Sequence, residues 1–205
     1  MTRARDLGDF IADGGTPELV VDTTTLVVDS TNNRVGVGTA SPATALDVVG
    51  TTTITTADNS VQLNLTSTDA DANIGPRLAL QRNSGSPADN DLLGRIEWYG
   101  EDDADNAVEF AHIGATALDV SSGSVDTSFY IGTKVNGAAR NRLLMNTTET
   151  VFNEESDDLD FRVESDSNAN MLFVEGGTDR VAIGHSSPNA KLDIMGQGSA
   201  ATNLS

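Results

Sequence analysis

Two histidines, no cysteine and a large excess of carboxylates set the chemistry open to this 205-residue chain. His112 falls in an alternating, strand-like run and His185 in a turn, and no Ser–His–Asp arrangement can be built around either. There is no P-loop, no His-Glu-x-x-His pair and no Gly-x-Ser-x-Gly elbow. Gly36-Val-Gly38 hints at a dinucleotide loop, but Ser41 stands in place of the third glycine. Pro42 follows where a helix would have to continue, so the stretch reads as a strand and turn. Carboxylates cluster twice, as Glu101, Asp102, Asp103, Asp105 with Glu109, and as Glu154, Glu155, Asp157, Asp158, Asp160. The oxygen-rich run with Asp102, Asp103 and Asp105 is a candidate for Ca²⁺, although no stretch fits the twelve-residue EF-hand loop and solvated loops are the plainer reading. The sequence offers no catalytic residue and no cofactor site beyond that Ca²⁺ option, which argues against an enzyme.

The elements that must carry these residues are strands. Apolar residues make up 38% and aromatic residues 4%, so any core relies on Val, Leu and Ala. With 31 acidic against 12 basic residues the formal charge is −19, which argues against nucleic-acid binding, since that needs clustered Lys and Arg. The lack of cysteine excludes disulfides and thiolate zinc sites. No apolar run is long enough for a membrane-spanning helix, and residues 1–13 lack the apolar stretch of a secretory signal. High charge and few aromatics would suit a disordered chain, but apolar residues alternate tidily between turn residues, as in Val61-Gln-Leu-Asn-Leu65 and Phe129-Tyr-Ile-Gly-Thr-Lys-Val135.

The strongest signal is an internal repeat. Leu26–Gly50 (LVVDSTNNRVGVGTASPATALDVVG) aligns without a gap with Leu172–Gly196 (LFVEGGTDRVAIGHSSPNAKLDIMG) at a constant offset of 146, with ten of 25 positions identical. Each copy predicts a hairpin, Leu26–Val28 with Arg34–Gly38 or Leu172–Val174 with Arg180–Gly184. A Ser-Pro then resets the backbone, and a further strand begins at Leu-Asp-Val or Leu-Asp-Ile. One copy holds too few Val, Leu and Ile side chains to bury a core, so its apolar face needs a partner, most simply identical copies from neighbouring chains. Between the repeats, 51–165 shows strand-like runs at Val61–Leu65, Arg77–Gln81, Gly94–Tyr99, Val108–Ile113, Phe129–Val135, Arg142–Met145 and Leu159–Val163. Their spacing predicts an antiparallel sandwich or small barrel, with Asn136-Gly137 as a tight hairpin turn. Trp98 and Tyr99, being adjacent, must point to opposite faces. The one helical cue is Leu7, Phe10 and Ile11 at i, i+3 and i+4 behind Arg3 and Arg5, read as a short docking helix.

The Asn-Arg-Val-Gly-Val-Gly-Thr…Ser-Pro…Leu-Asp-Val…Gly pattern of the repeat resembles the connector repeats of tail fibres from tailed bacteriophages, marine ones especially. Two further stretches look like segments of such fibres: SPADNDLLGRIEWYGEDDADNAVEFAHIGA and DLDFRVESDSNANMLFVEGGTDRVAIG. So does the opening Arg-Ala-Arg-Asp-Leu. The resemblance implies an elongated homotrimer of parallel chains in the virion, made in the host cytoplasm. Its N-terminus would attach to tail or adaptor proteins, a distal part would meet host glycan or protein, and this part would have no enzymatic activity.

The expected organisation is therefore a docking segment at 1–15, a first connector at 16–50, a β domain at 51–165 and a second connector at 166–196. Residues 197–205 would begin a further segment of a longer chain. Arg3, Arg5, Leu7, Phe10 and Ile11 are assigned to docking. Val35, Val37, Leu46, Val48, Val181, Ile183, Leu192 and Ile194 are assigned to the trimer core. Competing readings are a glycan-binding module, using Trp98 or Tyr99 beside Asp102–Asp105, and an enzyme that degrades capsular polysaccharide.

Overall fold

The structure is a computed structural model that describes residues 18–21 and 24–195. The described residues are all β, with no helix; the docking segment from Arg3 to Ile11 lies outside them. The chain divides into a unit ending at Arg77, which holds one sheet, and a unit beginning at Leu78, which holds two.

The first sheet is built from β1 (Glu18–Val21), β2 (Leu26–Asp29), β3 (Arg34–Val37) and β4 (Leu46–Val48), in that order. β1–β2 and β2–β3 are antiparallel, while β3–β4 is parallel, with Val35 opposite Leu46 and Val37 opposite Val48. Parallel neighbours usually need a crossover of about a dozen residues or more. Here residues 38–45 suffice, because the strands are three or four residues long and Gly38, at φ 76°, turns the chain at once. A side chain there would be strained and would strike the Val49 carbonyl.

The second sheet is an antiparallel meander of β5 (Asp91–Glu101), β6 (Ala107–Asp119), β7 (Asp126–Val135), β8 (Ala138–Met145) and β9 (Thr150–Phe152). The β7–β8 turn is the expected Asn136-Gly137, with both residues at positive φ (47° and 81°) as a two-residue hairpin demands. This sheet stays open, so the barrel expected from strand spacing does not form. Among the described residues no second sheet covers its apolar side, where Trp98 is 50% and Phe152 55% exposed. Val61–Leu65 and Arg77–Gln81, which alternate like strands, find no partner strand among the described residues and run outside every sheet.

The third sheet comprises β10 (Phe161–Val163), β11 (Leu172–Glu175), β12 (Arg180–Ile183) and β13 (Leu192–Ile194). Its topology repeats the first: two antiparallel pairings, then a parallel one with Val181 opposite Leu192. The run Leu159–Val163, expected within the middle domain, thus supplies its last three residues to the repeat sheet instead.

Candidate assembly interface

The residues identical between the two copies make the bonds that shape them. Arg34 Nη1 donates to the Pro42 carbonyl at 2.8 Å, and Arg180 Nη1 to the Pro188 carbonyl at 2.8 Å. Asp47 Oδ2 accepts the Ala43 N–H at 2.8 Å, and Asp193 Oδ2 accepts the Asn189 N–H at 2.9 Å. The Val35 N–H donates to the Ala45 carbonyl and the Val49 N–H to the Val37 carbonyl, both at 2.9 Å; Val181 to Lys191 and Met195 to Ile183 repeat this pair at 2.9 Å. These bonds fold the crossover back over one side of each sheet. That side is covered by its own chain: Val27 is 1% exposed, Pro42 is buried, and a β-carbon on Gly36 would meet the Thr39 carbonyl oxygen at 2.7 Å. In the third sheet the covered side carries Phe173, Ala182, Asp193 and Pro188.

The other side of each sheet is apolar, and among the described residues nothing buries it. Successive strand residues alternate faces, and the registers put Leu26, Val28, Val35, Val37, Leu46 and Val48 on one surface. In the third sheet the corresponding surface is Phe161, Val163, Leu172, Val174, Val181, Ile183, Leu192 and Ile194. None of these fourteen side chains is buried, and Leu46 is 63% exposed. All eight residues assigned to the core from sequence fall on these surfaces. The reading missed Leu26, Val28, Leu172 and Val174, which the same alternation would have placed there, and the strand Phe161–Val163.

The middle sheet has the same two-sidedness. Ile96, Ile113, Ile131, Leu143 and Phe152 stand opposite one another in a row across all five strands. Trp98 lies on this side and Phe129 joins it, 38% exposed. Phe152 meets Phe161 with ring centroids 4.9 Å apart, so the apolar surfaces of the second and third sheets touch. Among the described residues, glycine and proline aside, only Val27, Ala117, Phe173 and Ala182 are apolar and buried. That is far less than an independent domain needs.

The opposite side of the middle sheet is polar. Residues 109 and 112 would face opposite ways on a regular strand. A β-bulge, with Trp98 opposite Ala111 but Tyr99 opposite Glu109, brings Glu109 and His112 to one side. Glu109 Oε1 is 2.5 Å from His112 Nδ1 and 2.8 Å from Arg95 Nη2. The hydrogen bond with His112, and then the charge of Arg95, hold the Glu109 carboxyl below its usual range against the cost of desolvation. His112, 6% exposed, lies over Gly132 and edge-on to Tyr130, whose ring lies over Gly114. Only glycine leaves room for either ring. Exposed Tyr99 sits beyond, its phenol raised chiefly by the charge of Glu97. The cavity against Glu109, His112, Thr133 and Lys134 measures about 150 Å³, below the roughly 300–1,000 Å³ of small-molecule pockets. The cluster reads as structural support for the sheet.

Asp102 is committed to its own turn: its carboxylate accepts the Ala104 and Asn106 N–H groups at 2.9 Å and the Asn106 amide at 3.1 Å. Those bonds, the Asn106 backbone first, lower its carboxyl below the usual value. Asp105 takes the positive-φ position of the same turn, and Asp103 lies exposed within it. Among the described residues no three or more His, Asp or Glu side chains group so as to hold a metal ion. Scanned against models of known protein families and against curated proteins, the sequence matches none.

Proposed function

We propose that this chain is a structural segment of a bacteriophage tail fibre. It works as a parallel homotrimer whose connectors and middle sheet form part of the shaft between the tail and a distal host-recognition region. The observation that supports this reading is that every sheet has one apolar side that the described residues leave largely exposed, and that two of these sides recur 146 residues apart on sheets of one topology. A partner that is the same chain carries matching surfaces in matching order. The mechanism is mechanical: burial between chains at each connector holds them in register, and attachment to the tail falls to the segment with Arg3, Arg5, Leu7, Phe10 and Ile11. No enzymatic step, cofactor or nucleic acid enters. The fibre reading is tested with an antibody raised against the chain, which labels the tails of particles carrying it in immunoelectron microscopy. Label confined to the capsid overturns it.

Direct glycan binding through the middle sheet is a second reading, favoured by the exposure of Tyr99 beside Glu97 and Glu109 on the polar side. It requires glycan-array binding by the intact chain that Tyr99→Ala abolishes.

A further inference from the structure

The two connectors part company at their hairpin turns, where Ser30-Thr31 of the first is replaced by Gly176-Gly177 in the second. Neither glycine takes a positive φ, so the backbone does not call for them. Space does. A β-carbon on Gly176 would lie 2.6 Å from the Leu159 carbonyl oxygen, and one on Gly177 would lie 2.5 Å from Asp158 Oδ1. The turn is pressed against the segment that leaves the middle sheet.

That segment, residues 153–160, is bonded at both ends. Toward the middle sheet, the Asn153 and Glu154 N–H groups donate to the Arg142 and Asn141 carbonyls at 3.1 and 3.3 Å. Glu155 accepts the Asn141 N–H at 2.8 Å and the Asn141 amide at 3.2 Å, and Asp157 lies 3.1 Å from Arg140 Nε. Toward the third sheet, Asp160 Oδ1 accepts the Gly176 N–H at 3.1 Å. Between the two ends Asn153 closes a loop, donating its amide to the Asp157 carbonyl at 2.8 Å and accepting the Asp157 N–H at 3.2 Å. Glu155, Asp157 and Asp160, part of the second carboxylate cluster of the sequence, are thus engaged by the chain itself. Bonds on both sides restrict such a segment to one geometry.

We infer that residues 153–160 form a clasp that fixes the second connector to the middle sheet as one rigid body, and that Gly176 and Gly177 are the positions that admit it. No copy of the chain enters, so the inference stands apart from the fibre reading. The first connector shows that the hairpin itself does not need the glycines, since it forms with Ser30 and Thr31 in their place.

The natural absence of cysteine makes the test clean. Spin labels are placed on Ser122→Cys, in the β6–β7 turn, and on Ser186→Cys, in the second crossover, both exposed positions. Labelled chain is diluted into excess unlabelled chain, so that pulsed electron–electron double resonance reads the distance within one chain. The inference expects a single narrow distance. Gly176→Ser, which restores the residue of the first connector, loses that narrow distance while the far-ultraviolet circular dichroism stays unchanged. Glu155→Ala, acting at the middle-sheet end, loses it as well and decides the matter if Gly176→Ser fails to fold. A broad distribution before any change to the clasp, or a narrow one that survives either substitution in a folded chain, overturns the inference.

Discussion

The two connector sheets share topology, latch and open face, yet differ on the side each covers for itself. On the open face Leu26/Leu172, Val28/Val174, Val35/Val181 and Leu46/Leu192 are identical, and Val37/Ile183 and Val48/Ile194 stay apolar. On the covered side Val27 becomes Phe173, Gly36 becomes Ala182, and the crossover residue Thr39 becomes His185. The strand that completes each sheet also slips: Leu19 opposite Val28 corresponds to Phe161 opposite Val174, an offset of 142 rather than 146. The link that follows it grows from residues 22–25 to residues 164–171. The covered side keeps its latch, Arg34/Arg180, Pro42/Pro188 and Asp47/Asp193, while its packed residues change size; the exposed face keeps its apolar residues throughout, which is the pattern of a face that something must fit.

The largest effects should come from that face. Val37 and Ile183 are 39% and 38% exposed, so Val37→Asp and Ile183→Asp leave the single chain's fold nearly untouched. Each abolishes assembly by placing a charge where apolar contact is needed, read as loss of the oligomer by analytical ultracentrifugation with unchanged far-ultraviolet circular dichroism. An oligomer that survives Ile183→Asp but not Val37→Asp would make the second connector a passenger.

The covered sides should then separate the two copies. Phe173→Ala costs about 3–5 kcal/mol, against about 2 kcal/mol for Val27→Ala from the smaller apolar surface lost, compared by denaturant unfolding. The shared latch should not distinguish them: Arg34→Ala and Arg180→Ala each remove a charged donor from a proline carbonyl and cost about 1.5–3 kcal/mol. A clear inequality between those two breaks the equivalence of the copies.

Acid should act on the first connector's hairpin. The Asn32 side chain, followed by its N–H, holds the Asp29 carboxyl below its ordinary value. A carboxyl lowered on folding contributes stability that is present above its unfolded value and is lost as pH falls through the lowered one. The Asp29 carboxyl resonance should therefore titrate below the usual aspartate midpoint, a shift that Asn32→Ala diminishes. Salt has the smallest effect. Three chains would carry 3 × −19 = −57 formal charges, so raising ionic strength tightens assembly by screening repulsion.

Much of this architecture is legible in the sequence because it is written in two simple periods. The offset of 146 exposes both hairpins, and the alternation of Val35 and Val37 or Val181 and Ile183 gives the face that stays bare. Asn136-Gly137 fixes a turn for reasons internal to two residues. What escaped depends on partners distant in the chain. Val61–Leu65 has the pattern of a strand, but alternation alone does not say whether a strand finds its mate at home, so a layered β domain was expected where a single open sheet stands. Phe161–Val163 lies outside the aligned copies because the link behind it differs in length. The meeting of Glu109 with His112 hangs on one bulge, which no residue type at Phe110 announces.

The central claim is that copies of this chain cover its bare apolar sides, and the solution mass measures it directly. Light scattering on the purified 205-residue chain in EDTA should give three chains, 3 × 21.4 = 64.2 kDa. A stable, folded monomer of 21.4 kDa at micromolar concentration would contradict the account.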